Sequence, residues 1–279
     1  MKTLVSHFST DLDAVASSWL ITRYLPDWNN PSFKFVSAGK TLDDKLPDED
    51  PNIIHVDTGL GRFDHHQFAS DKLSATKRVY DYLLEKQYVK RYDQDALGRI
   101  ADFATMIDHF GEVHFPDPTS DLYDFSLYRL IEGMKAIGKK DEEIMQHGFI
   151  LLDGVLELFK KKINAEEEIK GGFIFENKWG KAIALDTQNE ETMKMALKQG
   201  YRTVAKRNPK THFIRIKTLP DKDIDLTPVH EEILKADPKD TWFLHSGKHM
   251  LLNGSSKSLD SKASSLTLKK VIEILQSIA

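Results

Sequence analysis

Residues 2–25, KTLVSHFSTDLDAVASSWLITRYL, decide the fold of the amino-terminal half. An apolar run at residues 2–6 precedes a polar turn and an apolar-periodic stretch at 14–25, which predicts a strand followed by a helix. Apolar runs at 33–36 and 52–56 predict two further strands. Short buried strands separated by helices are typical of an α/β sheet with parallel members, whose functional loops follow the carboxyl ends of the strands.

The rest of the chain predicts a helical region, a connector helix and a smaller second domain. Helical periodicity extends from residue 74 to about 138, and Asp141 can cap a long helix that ends at Gly171-Gly172. Strand-like runs at 173–175, 181–185, 201–205 and 212–217 accompany helical stretches at 191–198, 229–235 and 265–278. We therefore predict an α/β domain with a largely parallel sheet at residues 1–140, a connector helix at 141–170, and a smaller α/β domain at 171–279.

Composition limits the chemistry that is available. The 279 residues are 40% hydrophobic and 29% charged, as in an ordinary globular chain of two domains. Cysteine is absent, which excludes disulfides and thiol nucleophiles and leaves His, carboxylate or water to hold any metal. No apolar run approaches the roughly 18 residues of a membrane span, and the first residues do not resemble a secretion signal. We therefore expect a cytoplasmic protein without a membrane partner.

The two halves of the chain differ in charge. Residues 1–150 contain 17 Lys and Arg against 25 Asp and Glu, whereas residues 151–279 contain 22 against 18. An acidic half suits cations and a basic half suits an anionic ligand, although an uneven solvated surface is an equal alternative.

Candidate metal ligands follow the predicted strands. His7, Asp11 and Asp13 lie in the first strand-to-helix turn, where a helix amino terminus favours ionised carboxylates, although Asp11 can simply cap the helix. Asp57 follows the third strand, as a site residue or as a turn former beside Gly59.

Asp64, His65 and His66 form an unusual triplet in the segment RFDHHQ. Consecutive residues of an extended loop face opposite ways, so one imidazole can face a metal and the other a phosphate; a polar surface loop is the alternative. Asp108, in the helical run ADFATMIDHFG, is a further candidate, with Asp102 as its rival on the same helix.

Together these residues are enough for two divalent cations that share one carboxylate. Oxygen ligands with some imidazole suit manganese or magnesium, with cobalt, iron or zinc also possible. Two such ions about 3.5–4 Å apart activate a water and clamp the oxygens of an in-line phosphoryl displacement. The sequence therefore predicts hydrolysis of a phosphoester or phosphoanhydride.

The ordered motifs resemble a known superfamily. His7-x3-Asp11-x-Asp13, Asp57 and Asp64-His65-His66 resemble the first three signature motifs of the DHH phosphoesterases, and Asp108 best matches the fourth. That superfamily includes RecJ nucleases, nanoRNases and family II pyrophosphatases. RFDHHQ also resembles the exonuclease family associated with melanocyte proliferation genes.

The resemblance implies a role for each residue. His7, Asp11 and Asp57 would hold one Mn²⁺ ion, and Asp13, Asp57, His65 and Asp108 the other, with Mg²⁺ or Co²⁺ possible. His66 would contact the substrate phosphate and Asp64 would orient the pair. The Gly-Gly-Gly-His segment with which the carboxyl domain (DHHA1) of the superfamily binds substrate is absent here. Its nearest equivalents, unless they are ordinary polar loops, contain the residues His245, Gly247, Lys248, Gly254, Ser255 and Lys257.

From this resemblance we expect a two-metal phosphodiesterase that acts on short oligonucleotides or related nucleotides, possibly as a 3′-5′ exonuclease. A small-phosphate hydrolase, such as a pyrophosphatase or a bisphosphate-nucleotide phosphatase, is the alternative. A non-catalytic nucleic-acid-binding protein is a third hypothesis, which does not explain a complete ligand set.

Overall fold

The computed structural model describes residues 1–238, 242–254 and 262–278, and the chain divides into two compact units. Unit 1 comprises Met1–Lys160 and unit 2 comprises Lys161–Ala279. Unit 1 contains the elements β1 (Thr3–His7), α1 (Leu12–Tyr24), β2 (Ser32–Val36), β3 (Ile53–His55), α2 (Ala75–Glu85), α3 (Arg91–Asp108) and α4 (Leu127–Ala136). The long helix α5 (Asp141–Lys170) begins in unit 1 and continues into unit 2.

The sheet of unit 1 has the order β2-β1-β3, and both pairings are parallel. This confirms the strand, helix, strand, strand prediction. The central strand β1 is buried at Leu4 and Val5. Because β1 and β3 are parallel neighbours, the carboxyl end of β1, with His7, lies on the same side of the sheet as the carboxyl end of β3. Polar residues that follow β1 and β3 are thereby brought together, as expected for parallel strands.

Helix α1 is buried on nearly all sides, from Leu12 to Thr22. Its contact with α5 is close, because a Cβ on Gly148 would fall 2.5 Å from the Cγ1 atom of Val15. Farther along, the Asp153 carboxylate accepts hydrogen bonds from the Trp19 indole at 2.8 Å and from the Arg23 guanidinium at 2.8 Å. The helix that carries Asp11 and Asp13 at its start is therefore held firmly.

Unit 2 is built on a mixed sheet in the order β4-β5-β6-β7-β9-β8, in which β5 and β6 are parallel and the other pairs are antiparallel. Its further elements are β4 (Phe173–Asn177), β5 (Gly180–Asp186), α6 (Glu190–Lys198), β6 (Thr203–Arg207), β7 (Ile214–Thr218), α7 (Thr227–Ala236), β8 (Trp242–Leu244), β9 (Met250–Asn253) and α8 (Leu268–Ser277).

Alternation along β5 shows that this sheet is covered on both faces. Ala182 and Ala184 pack into one apolar cluster with residues of α7 and α8, whereas Ile183 and Leu185 pack into another with residues of α6. Side chains in a strand alternate between faces, so a strand buried on both sides is continuously apolar. The sequence predicted the first four strands of this unit but not β8 and β9, and β7 begins two residues later than expected.

Candidate metal centre

The turn between β1 and α1 carries His7 and Asp11. The His7 Nδ1 atom lies 2.9 Å from the carbonyl oxygen of Phe8, which can only accept, so Nδ1 carries a proton. The other ring nitrogen, Nε2, lies 3.1 Å from Asp57 Oδ2 and 3.7 Å from Asp11 Oδ2. Asp11 also caps α1 by accepting the N–H of Ala14 at 3.0 Å, so it fills the capping role and lies in the cluster as well.

Asp141, the first residue of α5, fixes this turn. Its carboxylate accepts the N–H of Thr10 at 2.8 Å, the hydroxyl of Thr10 at 3.0 Å and the N–H of Ser9 at 3.2 Å. These bonds span more than 130 residues of sequence. Asp141 was expected only as a helix cap, and the structure shows that it positions the residues between His7 and Asp11.

Asp57 lies at the centre of the cluster. It is buried and has a φ of +54°, in the left-handed region that Asp tolerates better than most residues. Its N–H donates to the carbonyl of Phe63, which brings the loop containing the two histidines back to the end of β3. Within the described residues, the buried Oδ1 atom of Asp57 has no hydrogen-bond partner.

The adjacent histidines have different surroundings. His65 is buried, and its Nε2 atom lies 3.4 Å from Asp57 Oδ1 and 3.4 Å from Asp108 Oδ2, with no hydrogen-bond partner in the described part of the chain. The side chain of His66 is 59% exposed, and its Nδ1 atom donates to Asp64 at 2.7 Å. The fully buried Asp64 also accepts the N–H groups of Leu60 and His66.

The two aspartates of α3 are separated by the structure. Asp108 lies beside His65 and is half-buried, whereas Asp102 is exposed and pairs with Lys77 at 3.1 Å. The geometry therefore brings Asp108, and not Asp102, into the cluster.

Asp13 lies at the edge of the cluster and has a second role. Its Oδ2 atom is 3.8 Å from His65 Nε2, and its two oxygens accept the N–H groups of Ala75 and Thr76 at 2.7 and 2.8 Å. A carboxylate at a helix amino terminus stabilises that helix, so Asp13 ties α1 to the start of α2.

The charges of the cluster strongly shift the pKa values of its side chains. Burial alone would lower the pKa of His7 and of His65. Neighbouring carboxylates outweigh it and raise both pKa values to about 9. Burial would raise the pKa of Asp57, but the adjacent His65 and His7 lower it to about 2. Burial and the charges of Asp57 and Asp108 raise the pKa of Asp13 to about 8.

The donor set fits divalent cations. Candidate ligand atoms of His7, Asp11 and Asp57 lie within 4.8 Å of one another, as do those of His65, Asp108 and His109. In the described residues the buried Asp57 Oδ1 and His65 Nε2 atoms have no hydrogen-bond partner, and a cation would satisfy both once it displaces the proton of the imidazole. His109 Nε2, however, lies 2.8 Å from the carbonyl oxygen of Leu73 and so carries a proton, which leaves it unable to ligate through that atom.

A cavity of about 490 Å³ opens onto the cluster. Besides the expected Asp11, Asp13, His65, His66 and Asp108, it is lined by residues that the sequence did not single out: Ile107, His109, Phe110, Glu112, Tyr128 and Glu132. For Ile107, His109, Phe110 and Glu112 the only sequence signal was closeness to Asp108 along the chain. Tyr128 and Glu132 lie in α4, far from Asp108 in sequence, and had no such signal.

Among the described residues, the expected carboxyl-terminal substrate contacts lie at two places in unit 2. His245, Gly247 and Lys248 lie in the turn between β8 and β9, and the Lys248 ammonium pairs with Asp225 at 2.7 Å. Gly254 follows the opposite end of β9. Ser255 and Lys257 lie outside the described residues.

Gly254 lines a separate basic cavity of about 190 Å³. The Glu190 carboxylate in this cavity is shared between the buried Lys206, at 2.5 Å, and Arg215, at 2.5 Å. Burial, and after it the positive charge of Arg215, lower the pKa of the nearby Lys217. In the described residues the buried Nε atom of Arg215 has no acceptor. Unit 2 therefore has hydrogen-bond donors that its own carboxylates leave unused and from which an anion can accept.

Comparisons with known proteins add the following. No family model and no curated protein matches the sequence. A solved DHH domain, described as coming from a member of a family of ribosomal proteins, is 12% identical, covers 98% of this chain and 85% of its own, and has a TM-score of 0.33. An uncharacterised protein from Helicobacter pylori is 13% identical over 100% of both chains, with a TM-score of 0.27.

RecJ in complex with Mg²⁺ from Thermus thermophilus is 11% identical, with a TM-score of 0.30 over 99% of this chain and 49% of that chain. Among the helices of the described residues, none is long and apolar enough to cross a membrane.

Proposed function

We propose that this chain is a two-metal phosphodiesterase of the DHH type that acts on short oligonucleotides or related nucleotides. The observation that carries the proposal is the position of Asp57. One of its oxygens lies 3.1 Å from His7 and the other 3.4 Å from His65, so a single carboxylate joins two groups of candidate ligands.

The residues divide between two cation positions. His7 Nε2, Asp11 and Asp57 Oδ2 would hold one ion, and Asp57 Oδ1, His65 Nε2 and Asp108 the other, with Asp13 beside the second. Mn²⁺ is the expected ion, with Mg²⁺ or Co²⁺ as alternatives, because carboxylates and imidazoles suit all three. A bound pair of such ions supplies a water nucleophile at neutral pH and neutralises charge on the reacting phosphate.

The chain itself supplies positioning and a hydrogen-bond donor. Asp64 holds Nδ1 of His66, which leaves Nε2 of the exposed imidazole available for a phosphate oxygen. When His66 is protonated, Nε2 donates a hydrogen bond to that oxygen and stabilises its charge. Asp64 acts through His66 by fixing the orientation of the ring.

The basic cavity of unit 2 is a candidate anion site in its own right. Lys206 and Arg215 offer donors that a phosphate oxygen accepts well. We propose that this cavity binds a phosphate group, which would contribute to binding and not to a chemical step.

A substrate panel tests the proposal. The Mn²⁺-loaded protein is assayed with short RNA, short DNA, a cyclic dinucleotide, a nucleoside 3′,5′-bisphosphate and pyrophosphate, beside Asp57→Asn as the inactive control. We expect cleavage of at least one phosphodiester. Hydrolysis of pyrophosphate or the bisphosphate alone would favour a small-phosphate hydrolase. Cleavage of none of the five substrates would contradict the proposal.

A further inference from the structure

Phe110 follows the last turn of α3 in a conformation that large side chains rarely adopt. Its φ is 58° and its ψ is 26°, in the left-handed region. The N–H of Phe110 donates to the carbonyl of Ile107 at 3.0 Å, so Phe110 closes the helix at a position that usually favours glycine. A bulky L residue is disfavoured there because its Cβ crowds the backbone.

Burial does not compensate for this conformation. The Phe110 side chain is 74% exposed. The next residue is held tightly, since a Cβ on Gly111 would clash with the Cγ atom of Met106 and would fall 2.8 Å from its carbonyl oxygen. The chain thus builds a specific turn that leaves an aromatic ring uncovered. An unfavourable conformation kept on an exposed residue indicates a role other than folding.

The location of Phe110 indicates what that role is. Its side chain lines the 490 Å³ cavity together with His65, His66 and Asp108 of the metal cluster. The cluster and its neighbours offer charged groups for a phosphate, whereas an exposed aromatic face offers a stacking surface for a planar ring. Stacking of bases on aromatic side chains tolerates any base, because each base has a π face.

We propose that Phe110 is the platform on which the base of the substrate nucleotide stacks while its phosphate lies at the metal cluster. The inference rests on the proposed function and deepens it, because it assigns the cavity to a base-bearing phosphoester and not to a base-free phosphate. Phe110 is then a specificity-determining residue.

Binding measurements on the full chain test this directly. The affinities of Mn²⁺-loaded protein for AMP and for ribose 5-phosphate are measured by calorimetry in the parent and in the variants Phe110→Gly, Phe110→Leu and Phe110→Trp. Phe125→Ala is the matched control, since Phe125 is 82% exposed in the same unit and does not line the cavity. We expect a preference of the parent for AMP that falls by about tenfold in the Gly and Leu variants and persists in Trp and in the control.

Thermal unfolding of the same variants separates this role from a structural one. Phe110→Gly should melt at the same or a higher temperature, because glycine adopts the left-handed region without steric cost. A parent without preference for AMP, a Leu variant that keeps the preference, or a Gly variant that melts lower would each overturn the inference. If the protein cleaves a substrate of the panel but Phe110→Gly keeps the preference for AMP, the proposed function stands and this platform does not. If the parent prefers AMP but cleaves no substrate, only the proposed chemistry is refuted.

Discussion

The Nε2 atom of His7 lies 3.1 Å from Oδ2 of Asp57, although fifty residues separate the two in sequence. Because Nδ1 of His7 is bound to a backbone carbonyl, the neutral ring would turn a lone pair towards this carboxylate. Two lone pairs at this distance repel unless a cation lies between them. In the metal-free protein that cation is a proton, and a divalent ion would replace it.

The adjacent histidines should therefore differ in phenotype. His65→Ala should lose bound metal, because His65 Nε2 lies between Asp57 and Asp108. His66→Ala should keep its metal and lose turnover, because the Nδ1 atom of His66 is already bound to Asp64. Metal content after dialysis and kcat are measured for both. Equal metal loss in the two variants would contradict the division of roles.

The two aspartates of α3 provide a matched pair. Asp108→Asn should lower metal affinity by at least about tenfold, because an amide oxygen is a weaker ligand for a divalent ion than a carboxylate. Asp102→Asn, the same change on the exposed side of the helix, should leave metal binding close to that of the parent. Titration with Mn²⁺ measures both, and comparable losses would show that Asp108 is not a ligand.

Metal binding should release protons. Without metal, His7 and His65 have pKa values of about 9 and are protonated at pH 7. A ligating imidazole is neutral, so binding at pH 7 should release about two protons from these rings, and metal affinity should rise with pH up to about 9. Asp13, with a pKa of about 8, is also largely protonated at pH 7, so its ionisation beside the second ion should add a third proton. Calorimetry in buffers of different ionisation enthalpy counts the protons. A pH-independent affinity without proton release would be inconsistent with these two ligands.

The basic cavity of unit 2 predicts a salt-dependent effect on binding. Arg215→Gln should weaken binding of a ligand with several phosphates to this cavity by about tenfold, since charge-assisted hydrogen bonds are lost. The effect should shrink at high salt. Lys235→Ala is the control, because Lys235 is an exposed cation of α7 that pairs only with Glu232 among the contacts described for it. If both changes had equal effects, or if binding did not depend on salt, the assignment of a phosphate site to this cavity would be wrong.

Part of the candidate metal-ligand cluster can be predicted from the sequence, because parallel strands bring their carboxyl ends together. His7 ends β1 and Asp57 follows the neighbouring β3, so the sheet alone places them near each other. The choice between Asp102 and Asp108 could also have been made from periodicity. Six residues of α-helix rotate by about 240° in excess of one turn, so the two side chains lie on different faces.

The remaining features depend on contacts that local sequence does not encode. Asp13 caps α2 across more than sixty residues, and Asp141 binds the turn at Thr10 across more than 130. Both residues have ordinary local contexts, so only the folded chain reveals these partners. In unit 2, the segments around Lys248 and Gly254 lie at opposite ends of the short strand β9, which the sequence did not predict.

Metal stoichiometry of Asp57→Asn is the most direct measurement. Asparagine tolerates the left-handed backbone of residue 57, so this variant removes charge while the fold is retained. Circular dichroism and thermal unfolding check the fold, and metal analysis with Mn²⁺ titration counts the ions. We expect two ions per parent chain, at most one in the variant, and no phosphodiester cleavage by the variant. Two ions bound to a folded Asp57→Asn protein with the affinity of the parent would contradict a shared carboxylate.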